Sequence, residues 1–150
     1  MISMRKTLII GVLSLLFAIS CSARGTDGVI VHISSGPETD VGSHRIIMGL
    51  NLAYNAANTG RKVLVFFDVH GVSVPLKTAV DVTHASHAEG IPSAQEALRM
   101  ILDKGGRIMV CPACLQQAGY SADDLIDGAE MGKIDTLFQF TDGRIITLDF

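Results

Sequence analysis

At 150 residues, 48 % hydrophobic and 18 % charged, the chain is long enough for one well-filled core and too short for two ordinary domains. Its formal charge is −3 at pH 7. An acidic chain without a lysine and arginine cluster repels phosphate backbones, which excludes nucleic acid from the expected partners.

The first segment is set apart from the rest. Arg5 and Lys6 precede an uncharged stretch, 7–20, that carries Leu8, Ile9, Ile10, Val12, Leu13, Leu15, Leu16 and Phe17. A basic start, a short apolar centre and small residues at its end describe an export signal, whereas a transmembrane helix needs about 20 apolar residues. Ala18-Ile19-Ser20-Cys21 has the look of a bacterial lipobox, which makes Cys21 a candidate for lipidation and for a tether to the membrane. Cys21-Ser22-Ala23 offers an ordinary cleavage site instead. The expectation is a signal over 1–21, a linker over 22–27 and a folded domain over 28–150, exported to the periplasm and anchored there by lipid. Without Arg5 and Lys6 the mature chain keeps 10 of its 12 basic residues against 15 acidic ones, a net charge of −5.

Gly28 to Ser34 is β-branched and apolar, which suits a central strand buried on both faces, and 34–40 is a loop broken by Gly36 and Pro37. From Ser43 to Thr59 the apolar residues recur at three- and four-residue steps before Gly60, which predicts a helix lying on the sheet. Val63 to Phe67 is a second buried strand ending at Asp68-Val69-His70-Gly71. Strand, helix and strand within about 40 residues predict a parallel pair. Beyond Pro75 the pattern over Leu76 to Val82 has helical spacing. Ser93 and Glu96 form a capping box for a helix over Ala94 to Lys104, which Gly105-Gly106 stops. Arg107 to Val110 is a third strand, followed by Cys111-Pro112-Ala113-Cys114 and a short helix ending at Gly119. Ser121 to Ile126 reads as a capped turn, Gly128 to Gly132 as a connection, Lys133 to Phe140 as a short helix, and Ile145 to Phe150 as a closing strand. The fold class is therefore α/β, a single domain with a mainly parallel sheet of four to five strands flanked by helices.

In an open parallel sheet, reactive groups collect outside the carboxyl ends of the strands. Three segments end there and are expected to face one another: Ser34-Ser35-Gly36, Asp68 to Gly71, and Cys111 to Cys114. Pro112 suits a first helical turn, so Cys111 sits where unpaired N–H groups favour a thiolate, with Cys114 one turn along. Cys111 is the candidate nucleophile and Cys114 the candidate resolving thiol. A structural disulfide, or two buried apolar cysteines, fits the same spacing. A thioredoxin-like site needs a later proline beside the thiols, and Pro112 is the last one. His70 at a strand end is the histidine expected near the thiols. His84 and His87, spaced H-x-x-H, would complete a tetrahedral metal set with Cys111 and Cys114. His32 is expected as a packed or hydrogen-bonded core residue, His44 on the surface at a helix start, and Asp68 is either catalytic or a turn former or helix cap. No nucleophile elbow, Walker loop or dinucleotide fingerprint is present, and no cofactor is expected.

The segments CPACLQQAGY, LIDGAEMG and IITLDF, together with VLVFFDVHGV, resemble the DsrE/DsrF-like sulfur-relay family and, within it, the small YchN-like members that carry a CxxC. The resemblance runs from about Val29 to Phe150 and is strongest after Arg107. It implies a parallel α/β domain, assembly into homo-oligomers (trimers or hexamers), and Cys111 as the residue that carries sulfane sulfur as a persulfide. Cys114 matches a second cysteine found in only some members. The better-understood members relay sulfur in the cytoplasm, so an exported chain requires a different sulfur donor and acceptor.

Overall fold

A computed structural model describes residues 27–84, 90–140 and 143–150. The export segment with Cys21, and His87, lie outside these residues. The sheet consists of β1 (Gly28–Ile33), β2 (Lys62–Phe67), β3 (Arg107–Val110), β4 (Ala129–Met131) and β5 (Ile145–Asp149). Their order is β4-β3-β2-β1-β5 and every pairing is parallel. Four helices accompany it: α1 (Asp40–Asn58), α2 (Ala94–Asp103), α3 (Pro112–Gln117) and α4 (Ile134–Phe138).

Side chains alternate across a strand, so each strand supplies two sets. Val29, Val31 and Ile33 of β1, Val63, Val65 and Phe67 of β2, and Ile108 and Val110 of β3 form one buried cluster with Ile46, Ile47 and Leu50 of α1 and Leu98 and Ile101 of α2. The opposite set, Leu64 and Met109 with Ile30 and Phe66, has only Leu137 and Phe140 packed over it among the described residues. The second face is thus thinly covered, which corrects the expectation that β1 is buried on both faces: Ile30 and His32 are only half buried. The buried face still fixes register, because a slip of one residue would turn its whole apolar set away from the helices.

The helix starts follow the expected chemistry, with one shift. Ser93 Oγ accepts the Glu96 N–H at the head of α2. The first helix begins three residues before the expected start, because Thr39 Oγ1 caps it by accepting the Gly42 N–H. Leu76 to Val82 is not helical. Backbone groups at its two ends are taken by distant partners instead: Lys77 N donates to Asp124 O, and Val82 O accepts from Ala94 N. The apolar residues that gave the segment helical spacing, Leu76 and Val82 among them, plug the core individually. The presumed connection 128–132 contains the edge strand β4, held to β3 from Ile108↔Ala129 to Val110↔Met131. Three residues are too few to display a period of two.

The end of β1 and the turn after β2 touch closely. A 3-10 turn spans Val69–Ser73, and Gly71 N donates to Ser34 O. A Cβ at Gly71 would lie 2.1 Å from the backbone oxygen of Ile33. Only glycine fits without moving one chain against the other. Gly71→Ala is expected to cost on the order of 1–3 kcal/mol, as overpacking against rigid backbone does; urea unfolding should show a lower midpoint at an unchanged slope.

Candidate functional site

The three segments expected at the carboxyl edge do meet there. Asp68 N donates to Ile33 O, and Cys111 N donates to Phe67 O at 2.8 Å, so the backbones of β1, β2 and β3 hand on to one another just where each strand ends. Beyond β2, Asp68 is extended and Val69 then takes φ 44°, the left-handed region. A β-branched residue there is strained by about 1–2 kcal/mol. Among the described residues no other non-glycine residue has positive φ.

Cys111 is the N-cap of α3, with Pro112 in the first turn, and its Sγ accepts the Cys114 N–H at 3.5 Å. Buried Leu115 fixes α3 to the core, and Leu115 N donates to Cys111 O. Gly119, at φ 86°, ends the segment where Tyr120 N returns to Leu115 O. Both cysteines are free thiols and partly exposed. The Cys114 thiol is raised above its ordinary value, first by its hydrogen bond to Cys111, then by burial and by the charges of Cys111 and Asp68. The Val69 backbone N–H, directed at Cys114, opposes this.

His70 is exposed on the Val69–Ser73 turn. It lines a cavity of about 340 Å³ with Val69, Cys114, Gln117 and Ala118. The placement of His70 beside the thiol pair was readable from sequence; the group behind it was not. His32 stands between two carboxylates, with Nε2 2.9 Å from Asp68 Oδ2 and Nδ1 2.9 Å from Asp149 Oδ1. Its ring stacks on Phe66, and Ser34 Oγ lies 3.2 Å from Nε2. His32 is thus a hydrogen-bonded residue of the thinly covered face and not a core histidine. Asp68 is its ion-pair partner, and its side chain caps no helix. The other oxygen, Asp68 Oδ1, is buried without a hydrogen-bond partner among the described residues. The sequence signal for this group lay in strand alternation, which puts position 32 on the same face as positions 30 and 66.

Of the two histidines expected with the thiols, only His84 is among the described residues. His84 lies against α1, where its Nε2 is 3.1 Å from Asp40 Oδ1 and its Nδ1 is 3.3 Å from His44 Nδ1. His44, expected as a plain surface residue, is half buried in that contact. Among the described residues no three His, Cys, Asp or Glu side chains are grouped to hold a metal ion, so Cys111 and Cys114 are not joined there by His84.

Comparison with known proteins now bears on this arrangement. The profile of the DsrE/DsrF-like family matches residues 28–148. The chain belongs to the DsrE/DsrF-like family. Among solved structures, the ychN protein of E. coli superposes with a TM-score of 0.59 at 21 % identity, covering 84 % of this chain and all of that one. A protein of unknown function from Methanobacterium thermoautotrophicum gives a TM-score of 0.52 at 18 % identity, covering 80 % of this chain and 97 % of that one. At these identities the likeness is one of fold, and it agrees with the single parallel α/β domain. An uncharacterized protein of Methanopyrus kandleri is 26 % identical over 113 residues, 75 % of this chain and 85 % of that protein. Another, from Methanocaldococcus jannaschii, is 27 % identical over 103 residues, 69 % of this chain and 84 % of that one.

The His32 group has a measurable signature. Burial alone pulls the imidazole down, but hydrogen bonds to Asp68 and Asp149 and their charges outweigh it and raise His32 above the usual value. A group raised on folding adds stability that is complete below its unfolded pKa, about 6.5, and is lost as pH rises through the higher folded value. Thermal unfolding of His32→Gln is therefore expected to differ most from the native chain near pH 5.5–6, about one unit below that reference, with a narrowing gap above it. A gap independent of pH would show that the imidazole is not charged in the fold.

Proposed function

We propose that this protein is an exported sulfur carrier in which Cys111 accepts sulfane sulfur as a persulfide and Cys114 resolves it. The observation that carries this reading is the thiol pair at the head of α3, where Cys111 is the N-cap and its Sγ accepts the Cys114 backbone N–H. Family membership supports it, since the DsrE/DsrF-like fold is the one that the sequence resemblance links with sulfur relay.

In the loading step the Cys111 thiolate attacks the outer sulfur of a donor persulfide. A new S–S bond forms on Cys111, the donor's own S–S bond breaks, and the donor leaves as a thiol with no net change in oxidation state. His70, on the wall of the cavity that Cys114 lines, is placed to take up or return the proton that the exchange moves. An acceptor thiol removes the outer sulfur by the same neutral exchange. Alternatively, Cys114 loses its proton, attacks Cys111 Sγ and expels hydrosulfide, leaving a Cys111–Cys114 disulfide. That route consumes two electrons per turnover, so a thiol reductant must restore the pair. If residues 1–21 direct export and Cys21 carries lipid, donor, acceptor and reductant all act on the membrane surface outside the cytoplasm.

Intact-mass measurement after incubation of the reduced protein with a small-molecule persulfide donor tests the chemistry. The chain should gain the mass of one sulfur atom, Cys111→Ser should gain none, and Cys114→Ser should gain it and hold it longer. Sulfur loading that survives Cys111→Ser would rule the carrier role out.

The thinly covered sheet face supports the expectation of a homo-oligomer. Ile30, Phe66, Leu137, Phe138 and Ile145 line a hollow of about 480 Å³ there, and Phe138 is 82 % exposed. A second copy is the proposed cover, since exposed apolar patches of this kind mark association surfaces. Sedimentation should show an assembly for the native chain and a smaller species for Phe138→Lys; the same size for both would remove this face from the interface.

A further inference from the structure

We propose that His44 and His84 form a zinc-binding site that is separate from the thiols. His44 is on the first turns of α1, and His84 comes from the connection leading to α2. Their Nδ1 atoms are 3.3 Å apart and their rings stand at 89° to each other. That separation is longer than a well-formed N–H hydrogen bond, about 2.9–3.0 Å. Two imidazole nitrogens bound at about 2.0–2.1 Å to one tetrahedral ion would themselves be about 3.3 Å apart. The separation fits a shared ion as well as it fits a shared proton.

The surroundings favour the ligating form. Asp40 Oδ1 lies 3.1 Å from His84 Nε2, close enough to place negative charge behind the ring whose Nδ1 faces His44. A carboxylate behind a ligating imidazole is the usual arrangement at zinc sites. The His84 side chain is only 10 % exposed, so its ring is held in place before any ion arrives. Glu38 and Asp81 line the adjoining hollow, and their charge offsets the positive end of the α1 dipole. Two protein nitrogens leave two coordination positions for water or another ligand, an open site of moderate affinity. Imidazole donors suit zinc and its neighbours among the transition metals, whereas magnesium and calcium take oxygen donors, and the nitrogen separation matches tetrahedral zinc. Bound zinc would clip the connection between the Val69–Ser73 turn and α2 to the head of α1.

The test uses the full chain, free of tag histidines, with its thiols blocked by iodoacetamide so that cysteine binding cannot contribute. Zn²⁺ uptake is read by competition with a chromophoric indicator. One saturable equivalent is expected, and His44→Gln and His84→Gln should each weaken it by about tenfold or more. No saturable uptake, or the same affinity in either variant, would overturn the site. A measurement that needs no variant is the imidazole ¹⁵N spectrum of the unsubstituted, blocked chain. Zinc-dependent shifts at Nδ1 of His44 and His84 support the proposal, and shifts confined to other histidines overturn it. Neither readout depends on sulfur transfer.

Discussion

The structure turns on one close backbone approach, that of Gly71 to the end of β1. Because no side chain separates Gly71 from the Ile33 carbonyl, the turn after β2 is drawn down onto its neighbour, and Gly71 N reaches Ser34 O. The turn cannot be reached from β2 without a reversal, which Val69 makes in the left-handed region. The strain at Val69 is local, and the two flanking hydrogen-bonded segments hold it. The same conformation directs the Val69 N–H at Cys114 and carries His70 to the cavity wall. A packing constraint on the turn after β2 thus reaches Cys114 through the Val69 N–H.

The two faces of the sheet divide the remaining work. The face under α1 and α2 holds most of the buried apolar side chains and supplies the stability that a strained turn draws on. The other face is left to Leu137, Phe140 and a polar group in which His32 joins β1 to Asp149 of β5 and to Asp68 beyond β2. Asp68 belongs to both systems: one oxygen holds His32, and its charge raises Cys114.

Much of this was legible in the sequence. Apolar runs bounded by glycine and proline located β1, β2, β3, β5 and the main helices, and the edge rule for parallel sheets placed Ser34, Asp68, His70 and Cys111 on one side. What stayed hidden depended on contacts between distant residues. Leu76 and Val82 enter the core individually while Val80 between them is exposed, and Asp124 and Ala94 serve the segment's backbone. β4 is too short for a pattern and is defined by its neighbour. The partners of His32 are 36 and 117 residues away, and the contact between His44 and His84 joins a helix to an irregular connection. Period and spacing report local order, and these features are set by tertiary placement.

The pairing of β1 with β5 has a consequence for how the chain is made. β1 is the first of the described strands to leave the ribosome and β5 the last, and they share a ladder from Gly28↔Ile145 to His32↔Asp149. Until β5 emerges, one flank of β1 has unpaired N–H and C=O groups, and His32 has only one of its two carboxylates. Pairings this distant in sequence close late and slowly. A nascent chain therefore waits with an open apolar edge, the state in which strands recruit wrong partners. Completion of the sheet and completion of the His32 group are one event, reserved for the final strand.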